Sequence, residues 1–213
     1  MCGIAGAHGL EAFEGLADAT ARVRDMVSNI AHRGPDAEGV WSDEEHVVLG
    51  HRRLSILDTG EGANQPFRIG DDVLVFNGEG YNYLELRREL EAAGAHRFST
   101  QGDTEVVLAA LRHWGLEGAL KRLNGMFALA WWSAVDRRLI LVRDRLGIKP
   151  LYWHQTPEGT LLFASEVRAL LASGKVRRAL NREAVADQWM YGTVHAPATI
   201  VSGIQLLEPG SLL

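Results

Sequence analysis

The chain has 213 residues, 46% hydrophobic and 23% charged, with 22 Lys and Arg against 27 Asp and Glu and a net charge of −5. That length makes one large domain or at most two small ones, with core enough to need no staples, and the composition excludes wholesale disorder. The acidic balance, with its basic clusters scattered among acids, excludes a sequence-independent nucleic-acid footprint.

Cys2 to Ala7 is short and apolar and predicts a buried strand. Leu16, Ala19, Val23, Met26, Val27 and Ile30 recur at helical spacing and predict an amphipathic helix. His32-Arg33-Gly34-Pro35-Asp36 is a loop by its Gly-Pro content. Val40-Trp41, His46 to Gly50 and Leu54 to Leu57 read as short strands, Asp58 to Gly62 as a turn, and Val73 to Phe76 as a strand followed at once by Asn77-Gly78. Tyr83, Leu86, Leu90 and Ala93 predict a second helix, capped by Gly94. A third opens at Asp103-Thr104 and stops at Gly115. Met126 to Trp132 and Arg138 to Val142 predict one hairpin, and Leu151 to His154 with Leu161 to Ala164 another. Glu166 to Leu171 and Arg182 to Met190 predict short helices. The order is not a βαβ alternation, so an α+β layered fold with two sheets and outer helices is expected.

One cysteine excludes an intramolecular disulfide and argues against a Cys-based zinc site, and no H-E-x-x-H occurs, so no metal site is expected. No phosphate-binding glycine loop supports a nucleotide site. No apolar run approaches the ~18 residues of a membrane span. The start has no charged region followed by an apolar stretch, so the expected compartment is the cytoplasm.

Cys2 is the sharpest feature. A lone cysteine is most often a small buried hydrophobe. At position 2, trimming of Met1 leaves it a free α-amine, whose pKa near ~8 suits a general base. One residue then holds nucleophile and base together.

Met1-Cys2-Gly3-Ile4-Ala5-Gly6 resembles the start of class II glutamine amidotransferases, which are N-terminal nucleophile hydrolases. His32 to Asp36, Gly50 to Asp58, Gln65-Pro66, Asn77 to Asn82, Gly102 to Glu105, Asn124 to Ala128, Arg143 to Tyr152 and Phe163 to Glu166 agree in order. Together they resemble the asparagine synthetase branch over nearly the whole chain. The resemblance implies a four-layer αββα sandwich of two antiparallel sheets with outer helices, as a glutaminase domain over residues 2–213. It implies hydrolysis of L-glutamine to L-glutamate and ammonia through a γ-glutamyl thioester on Cys2. It implies an oxyanion hole from the Asn77 side-chain amide and the Gly78 N–H. Arg53 would grip the substrate carboxylate, Glu79 and Asp103 its ammonium, and the backbone of Leu54, Ser55, Ile56 and Leu57 would line the site.

Bland readings stand beside these. Asn-Gly is the strongest hairpin signal, although the helix-periodic segment after it favours function. Asp103 suits a helix N-cap. The Arg143-Asp144 and Phe163 to Glu166 matches read as packing, or as contacts to a further domain. Relatives usually carry a larger aliphatic residue at Gly80, which leaves the rigidity of the Asn77–Asn82 segment open.

No cofactor is expected in this domain. The expected partner is a C-terminal synthetase domain using ATP and Mg, whose pyrophosphate loop is not in these residues; the ending at Leu213 reads as truncation. A homodimer is a further open expectation. Two alternatives remain: an ammonia acceptor other than aspartate, and a catalytically silent scaffold domain.

Overall fold

In the computed structural model, which describes residues 1–213, ten strands form two antiparallel sheets. The larger runs in the lateral order β10 (Gln205–Leu206), β8 (Tyr152–Gln155), β9 (Leu161–Ala164), β1 (Gly3–His8), β3 (Val47–Arg53), β2 (Ala37–Ser42). The smaller runs β4 (Phe67–Ile69), β5 (Asp72–Gly80), β6 (Gly125–Ser133), β7 (Arg138–Arg143). Five helices accompany them: α1 (Leu16–Ser28), α2 (Tyr83–Ala92), α3 (Asp103–Arg122), α4 (Val167–Ala172) and α5 (Arg182–Tyr191).

Side chains alternate across a strand, so each strand feeds two cores. Ile4, Val47 and Leu49 of the larger sheet meet Val73, Val75, Ala128 and Ala130 of the smaller one in a dry inter-sheet layer, with Phe163 and Trp132 filling it. The intervening residues face outward. Ala5, Ala7 and Val48 pack on α1 and α4. Leu74, Phe76 and Leu129 pack on α2 and α3. The result is the αββα order that the resemblance implies. Helix α5 buries only Ala184, and its start is set by Asn181, whose side chain accepts from the N–H groups of Glu183 and Ala184.

The structure corrects several expectations. Leu54 to Leu57 is not a strand: β3 runs unbroken from Val47 to Arg53, and the following residues form a loop in which Ile56 is exposed. The short strand β4 had no sequence signal of its own. Strand β5 does not stop at Phe76 but continues through Asn77, Gly78 and Glu79 to Gly80, paired residue by residue with β6. Asn77-Gly78 is therefore strand interior and not a turn. Gly80 is buried, paired with Gly125, and donates its N–H to Asp103 Oδ2 at 2.8 Å, so that end of the segment is held in place. Gly115 breaks α3 at φ 69°, as expected, but about two further turns run on to Arg122.

Candidate active site

The period-two pattern that builds the inter-sheet layer also builds the site. Cys2 shares the parity of Ile4. Arg53 shares that of Val47 and Leu49, and Asn77 and Glu79 that of Val73 and Val75. Strands β1 and β3 are antiparallel neighbours, with Gly3 opposite Arg52, so the start of one lies beside the end of the other. At this rim a cavity of about 190 Å³ opens. All the site residues expected from the sequence line it except Ser55. Ser55 instead donates its N–H to Asp36 Oδ2 at 2.7 Å, anchoring the loop from behind.

Cys2 Sγ accepts from the Leu54 N–H at 3.4 Å and lies 3.7 Å from the Leu54 carbonyl oxygen. The Cys2 carbonyl accepts from Arg33 Nε at 2.9 Å, and Arg33 is paired with Glu166 at 3.0 Å. The loop predicted at His32 to Asp36 and the Phe163 to Glu166 segment, read from the sequence as packing, thus converge on the cysteine. Burial pushes the thiol above its ordinary range. The Leu54 N–H, the nearby terminal ammonium and Arg53 pull the other way without reversing the shift. The sulfur is a thiol at neutral pH, so its attack on a substrate needs a base. Met1 lines the same cavity, so its removal would bare the Cys2 α-amine there.

Asn77 is fully buried, and neither polar atom of its side chain has a partner within the protein. An unpaired buried amide costs ~1–3 kcal/mol, and such groups are rare. Its position on the cavity makes the pair available to a ligand. Beside it, Gly78 sits where a Cβ would run into the Met126 carbonyl oxygen and stand 2.6 Å from Phe127 Cβ. Only glycine lets β5 and β6 approach this closely.

Arg53 is buried, and its guanidinium donates to neutral oxygens: Gly60 O at 2.9 Å, Asn64 Oδ1 at 2.8 Å and the Asp58 carbonyl. Its neighbour Arg52 points elsewhere and is paired with Glu38. Arg53 is thus a buried cation without a carboxylate partner, suited to accept one from a ligand. Asp58 carries the loop further. It adopts a left-handed backbone (φ 52°), and its carboxylate accepts from the Gly60 N–H at 3.0 Å and the Gln101 N–H at 2.7 Å. That ties the Arg53 side of the cavity to the Asp103 side. Asp103 is the first residue of α3, with Gly102 at the cap position, so it is not the N-cap that its place in the sequence suggested. Burial pushes its carboxyl above the ordinary range, and Glu79 adds to this against the Gly80 and Thr104 N–H groups. Cation and anions therefore stand at the same cavity, the pattern a zwitterionic end requires.

The cavity also includes Gln65, Thr104, Met126 and Lys149, to which sequence reasoning assigned no part. All four lie inside segments that carry the family resemblance, the only sign that they belong to the site. Arg143 donates to the carbonyls of Lys149, Leu207 and Gly147, at 2.8, 2.6 and 2.6 Å, a packing role. No group of three or more His, Cys, Asp or Glu side chains is placed to hold a metal ion. No helix is long and apolar enough to cross a membrane.

Two face-to-face antiparallel sheets with a cysteine opening a central strand are the architecture of the N-terminal nucleophile hydrolases. Within that class, the chain belongs to the family described as the glutamine amidotransferase domain, which matches residues 1–213. It is 41% identical over 213 residues to asparagine synthetase [glutamine-hydrolyzing] 1 of Bacillus subtilis (strain 168), covering 99% of this chain and 33% of that protein. It is 40% identical over 230 residues to a putative asparagine synthetase [glutamine-hydrolyzing] of Mycobacterium tuberculosis (strain ATCC 25618 / H37Rv), covering 99% of this chain and 34% of the relative. The chain thus spans about a third of the length of these relatives. A solved glutamine phosphoribosylpyrophosphate amidotransferase from B. subtilis superposes with a TM-score of 0.72 at 22% identity, over 99% of this chain and 46% of that one, a likeness of fold.

Proposed function

We propose that this domain hydrolyses L-glutamine to L-glutamate and ammonia. One observation carries the reading. A half-buried thiol, an unpartnered buried amide, an arginine without a carboxylate partner and a buried aspartate all face one cavity of about 190 Å³. Glutamine has the complement of each: a reactive side-chain amide, a carboxylate and an ammonium. Arg53 takes the carboxylate, and Asp103 with Glu79 the ammonium. The side-chain amide then lies over Cys2.

With Met1 removed, the Cys2 α-amine takes the thiol proton as Sγ bonds to the amide carbon. The negative charge that develops on the carbonyl oxygen is met by Asn77 Nδ2 and the Gly78 N–H, an interaction whose loss typically costs ~3–4 kcal/mol. The C–N bond breaks, the amine returns the proton to the leaving nitrogen, and ammonia departs. Water then attacks the thioester, releasing glutamate and restoring the thiol.

In the longer protein that the relatives' length suggests, the ammonia would feed an ATP- and Mg-using synthetase domain that amidates aspartate or another carboxylate. The test is glutamate release by the Met1-free chain beside its Cys2→Ala variant. Release by the parent alone is the expected result. Equal release from both removes Cys2 as nucleophile. Release from neither, with an intact mass proving Met1 gone, leaves a scaffold or a glutaminase that needs the rest of the longer protein, which the same assay on the full-length protein separates.

A further inference from the structure

Strand β5 is paired with β6 from Val73 to Gly80, but with β4 only from Asp72 to Leu74. Beyond Leu74 its other edge is open, and this is the part that carries Asn77 and Gly78. Continuing the β4–β5 register by two residues places Gln65 opposite Phe76. The Gln65 backbone does not pair there, since β4 begins only at Phe67. The Gln65 side chain takes the strand's place. Its Oε1 accepts from the Phe76 N–H at 2.6 Å, and its Nε2 donates to the Phe76 carbonyl at 3.2 Å. One side-chain amide thereby reproduces the two-way bonding of a strand peptide. The same Nε2 also reaches Thr104 Oγ1 at 3.3 Å, next to Asp103 at the start of α3. His51 completes the clamp, with Nε2 3.3 Å from the same Phe76 oxygen. Burial pushes His51 down to about 3, so the ring is neutral. A carbonyl only accepts, which puts the proton on Nε2.

We infer that Gln65 is a positioning residue, holding the Phe76–Asn77 peptide at the open edge of β5 so that Asn77 and Gly78 stand ready for the oxyanion. This rests on the glutaminase reading above. Asn77 has no side-chain bonds to hold it, so its placement depends on its backbone. Gln65, more than nine-tenths buried, is what fixes that backbone where the sheet does not.

The experiment compares Met1-free parent, Gln65→Met and Gln65→Glu, with Cys2→Ala as the blank. Methionine keeps the bulk and loses both hydrogen bonds to Phe76 as well as the one to Thr104. Because the hole acts on the transition state, kcat should fall by about tenfold to a hundredfold while KM stays within about twofold. Gln65→Glu supplies a diagnostic pH profile. Protonated, a glutamic acid offers the same acceptor and a donor in place of the amide. Ionised, it turns an oxygen toward the Phe76 carbonyl. Its kcat relative to parent should therefore recover as pH falls, at temperatures well below unfolding. Cys2, Arg53, His51, Glu79, Asp103 and Lys149 surround the same region in parent and variant alike, so the ratio isolates the new carboxyl.

A residue needed only for stability would lower melting temperatures without this recovery. Amide exchange at Phe76, read without any turnover, should speed up by about tenfold or more in Gln65→Met, while Val73 to Val75 stay unchanged. Unchanged exchange at Phe76 overturns the proposal, as does a kcat within twofold of parent or a loss confined to KM. If parent and Cys2→Ala release glutamate equally, the glutaminase reading falls and takes the catalytic part of this proposal with it. The exchange result then shows whether Gln65 holds the strand.

Discussion

At Asp103 folding and the proposed binding pull in opposite directions. An unfolded aspartate ionises at its ordinary value. In the fold, burial and the neighbouring Glu79 raise that value, so the folded chain holds the proton to higher pH. Stability therefore falls as pH rises from the ordinary value through the raised one, and stays lower above it. Asp103→Asn removes this penalty and keeps an oxygen for the Gly80 N–H, so its melting temperature at pH 7 is expected to exceed that of the parent. It also loses the charge proposed to meet the substrate ammonium. With ~1.5–3 kcal/mol for a hydrogen bond to a charged group, kcat/KM for glutamine should drop at least about tenfold. The rise in melting temperature on adding glutamine should vanish. A variant no more stable than the parent that keeps its glutamine shift would refute this. Cys2, Arg53, Asn77 and Asp103 were legible because their chemistry is carried by residue type within recognisable motifs. Gln65 was not. What it does depends on where β4 leaves β5, a fact of pairing that no local pattern records.

Among the elements, long periodic ones were read well and short ones poorly. Helices α1 and α2 and the two hairpins follow their hydrophobic periods. Leu54 to Leu57 misled because its apolar residues serve a cavity rim and not a sheet face; Ile56 points into solvent. Strand β4 was invisible because three residues cannot display a period. The loop before α3 is held by a feature that is also non-periodic. Glu105 is buried in the first turn of α3 and accepts from the Ser99 N–H at 3.0 Å, the Thr100 N–H at 2.7 Å, the Thr100 hydroxyl at 2.7 Å and His96 Nε2 at 2.9 Å. Burial alone would raise its carboxyl. These donors overcome that and hold it down, to about 2 from 4.5. A depressed acid contributes stability that is whole above the unfolded value and is lost as pH falls through the folded one. The window is thus from 4.5 down to about 2, and at 1.36 kcal/mol per pKa unit the contribution is at most about 3 kcal/mol. Glu105→Gln should melt lower than the parent at pH 7, and the gap should close between pH 4.5 and 2. A gap that does not change with pH would show that the carboxylate charge contributes nothing. Because Thr100 lines the cavity, loosening this loop should also raise KM for glutamine.

At the scale of the whole molecule, the inter-sheet layer binds the halves into one unit and determines where the site lies. Cys2 and Arg53 come from the larger sheet, Asn77 and Glu79 from the smaller, and the same alternation that points these inward points Ile4, Leu49 and Val75 inward behind them. Neither half contains a complete cavity. The sandwich was legible as a class from the order of its elements, but the sheet orders rest on long-range pairings such as β1 between β9 and β3. If the shared layer carries the stability, a cavity made in it on one sheet should be felt equally by the other. Phe163 on β9 is fully buried there, against the smaller sheet's Val73, Val75 and Ala130. Phe163→Ala should cost ~3–5 kcal/mol, a large part of the ~5–15 kcal/mol that holds a typical domain folded. In a background where Trp41, Trp153 and Trp189 are changed to Phe, the remaining Trp131 and Trp132 on β6 and Trp114 on α3 all belong to the half without the cavity, so their fluorescence reports that half. A single cooperative unit requires the far-UV circular dichroism of the variant and this tryptophan signal to melt together, at a lower temperature than in the parent. Glutamate release should vanish over the same interval. A tryptophan transition left at the parent's temperature would mean that the smaller sheet with α2 and α3 holds itself together, and that the site unfolds by separation of the sheets.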